Sequence, residues 1–193
     1  MMSGVTTVFG LLGVILNQAF IWPQVRRAMG SVEGVAALTV LGGMLARSSW
    51  VAYGFVLGDV PLVVGNITVT SGFLILWFLL LRRADVQRTL WVGLAAVVVA
   101  VAAATLAGDL VLGWFAVVTA AVVNVPQMVR VLVDRNQLAG VSVATYLLIA
   151  SASASWIVYG LLVDEPLIAL PHLLLGPTAL VTAWVAAVSH RRH

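Results

Sequence analysis

The sequence has no cysteine and no lysine, and only 9% of its residues are charged. Soluble domains carry roughly a quarter charged residues, so this chain has too little polar side chain for a water-facing surface. Without cysteine, disulfides and thiolate metal sites are excluded. With lysine absent, all ten basic residues are arginine. That bias, together with abundant Ala, Val, Leu and Gly, fits a GC-rich bacterial genome. The seven Asp and Glu all fall outside the apolar runs. The apolar runs therefore lack a carboxylate of the kind that serves as a proton relay in a membrane; were the chain a carrier, that would favour facilitated diffusion over proton coupling. Also missing are a phosphate-binding glycine loop, His/Glu metal spacing and a nucleophile–base pattern. The expectation is no enzymatic activity, no metal and no cofactor. The pI near 10.2 comes from arginines in loops. No basic face or aromatic platform accompanies them, so no nucleic-acid partner is expected.

What is present is apolar: 62% of residues are hydrophobic and the mean hydropathy is +1.11. A membrane-spanning helix needs ~20 mostly apolar residues. Seven runs qualify, at roughly 5–25, 35–57, 61–81, 89–107, 110–133, 141–163 and 166–188. The first lacks a basic leading segment and a cleavage site, and reads as a retained helix. The expected fold class is an all-α membrane protein with seven transmembrane helices. Arg26 and Arg27 follow the first run; Arg82, Arg83 and Arg88 the third; Arg130 and Arg135 the fifth; Arg191 and Arg192 the last. The alternate loops carry only Asp59, Asp109, Asp164 and Glu165. The positive-inside rule places the N-terminus outside and the C-terminus in the cytoplasm. In a bacterium this membrane is the inner, plasma membrane.

The chain also repeats itself. Pro23-Gln24 is followed by Gly34-Val35, Trp50, Tyr53-Gly54 and Asp59; Pro126-Gln127 is followed by Gly140-Val141, Trp156, Tyr159-Gly160 and Glu165. Subtracting 23 from 126 gives a spacing of 103, and subtracting 50 from 156 gives 106, so three residues are inserted in the second copy. The expected organisation is a first three-helix repeat over 1–84, a linker helix over 85–108 and a second three-helix repeat over 109–193. Three helices alone would invert the next copy. The added linker helix restores its orientation, so the repeats are expected to be parallel.

Pro23 and Pro126 each free a backbone carbonyl four residues earlier and invite a kink. With Gln24 and Gln127 they read either as a pair of cytoplasmic-side hinges or as two static kinks. Trp50 and Trp156 lie about 6 Å outward of their helix midpoints at 1.5 Å per residue. The interface is ~15 Å from the centre, so both fit a cavity lining better than an aromatic belt. Trp91 and Trp184 suit the belt, as do Trp22 and Trp77. Asn66 lies at nearly the same depth, and the 106-residue offset puts His172 at the matching point, although a one-residue slip between Pro61 and Pro166 leaves Pro171 as an alternative. Polar side chains in lipid face the bundle interior or a wet cavity. These residues are candidates for a small-molecule site or for interhelical hydrogen bonding. Arg47 stands at the centre of the second run, where a charge costs roughly 3 kcal/mol on insertion scales. It can snorkel, bind backbone carbonyls or attract an anionic group of a substrate, and it is a further candidate.

Two Pro-Gln copies, Trp50-x-x-Tyr53-Gly54, Asn66 and Trp156-x-x-Tyr159-Gly160 resemble the PQ-loop, SWEET-type sugar transporters and their half-size bacterial relatives, the SemiSWEETs. The resemblance covers nearly the whole chain. It implies two three-helix units enclosing a path for a mono- or disaccharide, complete in one chain, so that an oligomer is possible but not required. It also implies Trp50 and Trp156 stacking on a sugar ring, Asn66 bonding its hydroxyls and the two prolines as pivots of a uniporter's alternating access. His172 replaces a second Asn, the second and sixth helices lack the prolines of plant-type members, and Arg47 is unusual beside a neutral sugar. An amino acid, a vitamin or another small anion is the alternative substrate, and a non-transporting membrane scaffold the alternative of another class.

Overall fold

The computed structural model describes residues 4–33, 35–133 and 143–190, with the side chains of 20, 124–133, 186, 189 and 190 left aside. Among the described residues the chain forms seven α-helices: α1 (Gly4–Gly30), α2 (Ala37–Leu57), α3 (Val60–Leu80), α4 (Gln87–Leu106), α5 (Asp109–Val133), α6 (Val143–Leu162) and α7 (Pro166–His190). Six are long and apolar enough to cross a membrane, and Asp109–Val123 of α5 forms a shorter apolar stretch. The protein is a multi-pass helical membrane protein. Each helix falls within a few residues of an apolar run, because in lipid the backbone must satisfy its own hydrogen bonds. The largest difference is α1, which continues through Pro23 to Gly30. A proline removes one backbone donor but does not end a membrane helix. Arg27 in the last turn suits the negative end of the helix dipole.

Two sharp corners copy one another. Between α2 and α3, Gly58 adopts a left-handed conformation at φ 65° and Asp59 N–H donates to Gly54 O at 2.9 Å. Between α6 and α7, Asp164 takes the same conformation at φ 57° and Glu165 N–H donates to Gly160 O at 2.8 Å. Asp is among the few residues that tolerate this region. Asp59 also caps α3, its Oδ1 accepting from Leu62 N at 2.8 Å. The prolines sit in the first turn of each helix, Pro61 second in α3 and Pro166 first in α7. Both positions lack an intrahelical acceptor for the N–H. The one-residue slip between them therefore leaves the helix register unchanged.

By contacts the chain divides into two compact units, one of Met1–Ala19 with Asn124–His193, the other of Phe20–Val123. The boundaries fall within α1 and α5, each within four residues of a Pro-Gln pair. In the Phe20–Val123 unit, Ile21, Val40, Met44, Val69, Leu76 and Leu80 form the buried core. Close approach uses small residues: a Cβ at Gly72 would meet Ile21 Cγ1 at 2.5 Å. Trp77 is 2% exposed and donates from Nε1 to Leu90 O at 3.1 Å. It ties α3 to α4 and is no belt residue. The inner half of α3 around Trp77 is apolar on every side, so the sequence there carries no signal for which face is buried. Trp22, Trp91 and Trp184 are exposed, as belt positions require.

In the other unit α6 packs along α7, and Ser155 Oγ donates to Phe9 O at 2.8 Å. A Cβ at Gly13 would lie 2.7 Å from Trp156 Cε2. Glycine at that position makes room for the indole.

Candidate functional site

The polar residues within the apolar helices pair by repeat position. In the Phe20–Val123 unit, Arg47 on α2 donates from Nη1 to Asn66 Oδ1 on α3 at 3.2 Å. In the other unit, His172 Nδ1 on α7 lies 3.4 Å from Ser153 Oγ on α6. Both pairs are separated by 19 residues, and the 106-residue offset carries Arg47 to Ser153 and Asn66 to His172. The contact selects His172, not Pro171, as the counterpart of Asn66.

Asn66 is 2% exposed and its amide is held at both ends. Nδ2 donates to Leu62 O at 2.9 Å while Oδ1 accepts from Arg47. The side chain that the resemblance assigned to sugar hydroxyls is thus engaged at its carbonyl by a guanidinium. Arg47 is half-buried, one turn from Trp50. Its spacing from Asn66 was legible, but their pairing depends on how α2 and α3 are rotated, which periodicity does not reveal in helices that are apolar throughout.

The tryptophans also correspond. Trp50 is 5% exposed and meets Tyr53 edge-on, with centroids 6.0 Å apart and planes at 70°. Trp156 is 2% exposed and meets Tyr159 the same way at 5.6 Å and 88°. In addition, the imidazole of His172 stacks over Trp156 at 6.3 Å and 16°. The Trp156 Nε1 donor is buried and meets no hydrogen-bond acceptor among the described residues. Both indoles are buried.

Of the hinge candidates, Pro23 lies exposed within α1 and Gln24 is half-buried. Pro126 and Gln127 fall within α5, but their side chains lie outside the described residues. Two contacts had no signal in the sequence: the stacking of His172 on Trp156, and the clearance that Gly13 gives the indole.

No family model matches the sequence, and no curated protein matches it. A solved structure does. The chain superposes on the 3.7 Å resolution structure of a eukaryotic SWEET transporter with a TM-score of 0.85, covering 95% of this chain and 96% of that one at 18% identity. The chain has a SWEET-type fold. At that identity the likeness concerns architecture, and the SWEET-type framework is what holds the Arg47–Asn66 and Ser153–His172 pairs at matching positions. The chemistry on offer is one guanidinium at helix mid-depth, one imidazole against an indole, and two aromatic clusters. It suits recognition of a small polar molecule more than bond making or breaking.

Proposed function

We propose that this chain is a facilitative sugar uniporter that works by alternating access. The observation that carries the reading is the full-length likeness to a SWEET transporter. In this reading the repeats at 1–84 and 109–193 are parallel three-helix units joined by the linker helix at 85–108. Pro23-Gln24 and Pro126-Gln127 serve as their hinges. Trp50 and Trp156 stack on the sugar, and Asn66, His172 and Arg47 meet its polar groups. The membrane is the bacterial inner membrane, with the N-terminus outside and the C-terminus in the cytoplasm, as the arginine placement supports. One chain makes a whole path, so assembly into oligomers is optional. A carrier of an amino acid, a vitamin or another small anion on the same fold is the second reading, and Arg47 is the observation that favours it.

Purified protein screened by thermal unfolding tests the choice. A ligand that binds only the folded state stabilises it by mass action, by about 2.7 kcal/mol at a hundredfold excess over Kd. Sugars are expected to raise the unfolding temperature. A response to amino acids, vitamins or other small anions, with none to any sugar, would move the assignment to the second reading.

A further inference from the structure

A group of cations lies at one end of the Phe20–Val123 unit. Arg26 and Arg27 stand near the end of α1, Arg82 and Arg83 just past α3, and Arg88 at the start of α4. Packing brings these three segments together. Val25 and Ala28, which flank the α1 arginines, share one buried cluster with Leu80 and Leu90, and Leu81 and Val86 pack against it. Gln87 Nε2 also donates to Leu81 O at 2.8 Å, which joins the start of α4 to the end of α3. The acids of these segments are Glu33 and Asp85, and Asp85 is taken by Arg83 at 2.6 Å. Among the described residues Arg26, Arg27, Arg82 and Arg88 form no ion pair, and all four are exposed.

Exposed tryptophans accompany them. Trp22 precedes Arg26 by four residues on α1, and Trp91 follows Arg88 by three on α4, so each indole shares a helix face with its arginine. In both helices the indole lies one turn nearer the apolar middle. Trp91 is 56% exposed yet held in place, meeting the buried Trp77 edge-on at 4.6 Å and 89°.

We infer that this end of the unit binds the headgroup of an acidic phospholipid. Guanidiniums offer forked donors to a pair of phosphodiester oxygens, and indoles settle where headgroups give way to acyl chains. A soluble phosphate offers nothing to rings one turn deeper than its own contacts. A zwitterionic headgroup carries an ammonium into a group of arginines that lack ion pairs, and like charges repel. An acidic headgroup brings no cation, and clustered arginines beside a membrane helix attract it. The inference stands apart from the sugar reading, since it needs only the membrane-spanning helices.

Native mass spectrometry of the detergent-purified protein, with equal amounts of phosphatidylglycerol and phosphatidylethanolamine of identical acyl chains, tests this. The wild type is expected to favour phosphatidylglycerol by about fivefold or more, the factor that one arginine near an anionic headgroup contributes. Arg26→Gln, Arg82→Gln and Arg88→Gln combined should bring the ratio close to one. These side chains are exposed, so the variant should fold, and the wild-type ratio is decisive without it. A second variant with Arg135→Gln, Arg191→Gln and Arg192→Gln loses the same charge and should keep the preference. Equal binding of the two lipids by the wild type would overturn the inference, as would an unchanged ratio in the first variant. An equal loss in both variants would trace the preference to net charge and overturn the site. Glycerol phosphate that displaces phosphatidylglycerol at equal concentration would point to a soluble phosphate ligand and overturn the lipid assignment.

Discussion

Asn66→Leu should destabilise the protein by about 2 kcal/mol, within the range for a hydrogen bond to a charged group. The leucine fills similar volume, so the loss comes from Arg47, whose Nη1 donor would face an apolar side chain at the centre of α2. Adding Arg47→Met should recover most of that loss, because a matched apolar pair is often as stable as the polar pair it replaces, whereas one partner left behind is costly. Chemical or thermal unfolding of the wild type, both single variants and the double variant closes the cycle. A coupling energy near zero would show that the 3.2 Å contact does not order the two helices.

The second large effect is expected at the α6–α7 corner. A Cβ at Gly160 would lie 3.0 Å from both Ala169 N and Glu165 O. These are backbone atoms in a corner closed by the 2.8 Å hydrogen bond from Glu165 N–H to Gly160 O, so neither can move aside cheaply. Gly160→Ala should cost about 1–3 kcal/mol, as overpacking does in tight cores. It should also disturb the approach of His172 to Ser153, because that corner sets the spacing of the two helices. Gly30→Ala, at a helical glycine with open space around it, should be neutral or slightly stabilising, since glycine is the poorer helix former. Comparing unfolding temperatures of the two variants removes the contribution of helix propensity. Equal shifts would mean that the corner tolerates a methyl group and that its closeness is not a constraint.

The seven helices were legible because the apolar runs are long, few charges interrupt them, and each ends near a Gly, Pro or arginine cluster. The likeness of the two corners was legible too, since Gly54 and Asp59 recur as Gly160 and Glu165 at one offset. Facing was not. Trp77 and Trp91 look alike in a sequence rich in apolar residues on every side, yet Trp77 is buried against Leu90 and Trp91 is exposed. Depth counting brought Arg47, Trp50 and Asn66 to neighbouring levels, but it could not show that the Asn66 carbonyl is engaged by Arg47. Nor could it show that His172 stacks on Trp156, because that contact requires the rotation of α6 and α7 about their axes. The repeat was therefore the strongest guide to position, and side-chain pairing came only with the structure.

Counterflow in proteoliposomes tests the transport claim most directly. Vesicles preloaded with a high concentration of an unlabelled mono- or disaccharide are diluted into the labelled form. A uniporter predicts a transient accumulation of label above its external concentration, without an imposed proton gradient and absent from protein-free vesicles. Folded, reconstituted protein that gives no overshoot with any sugar would contradict the account.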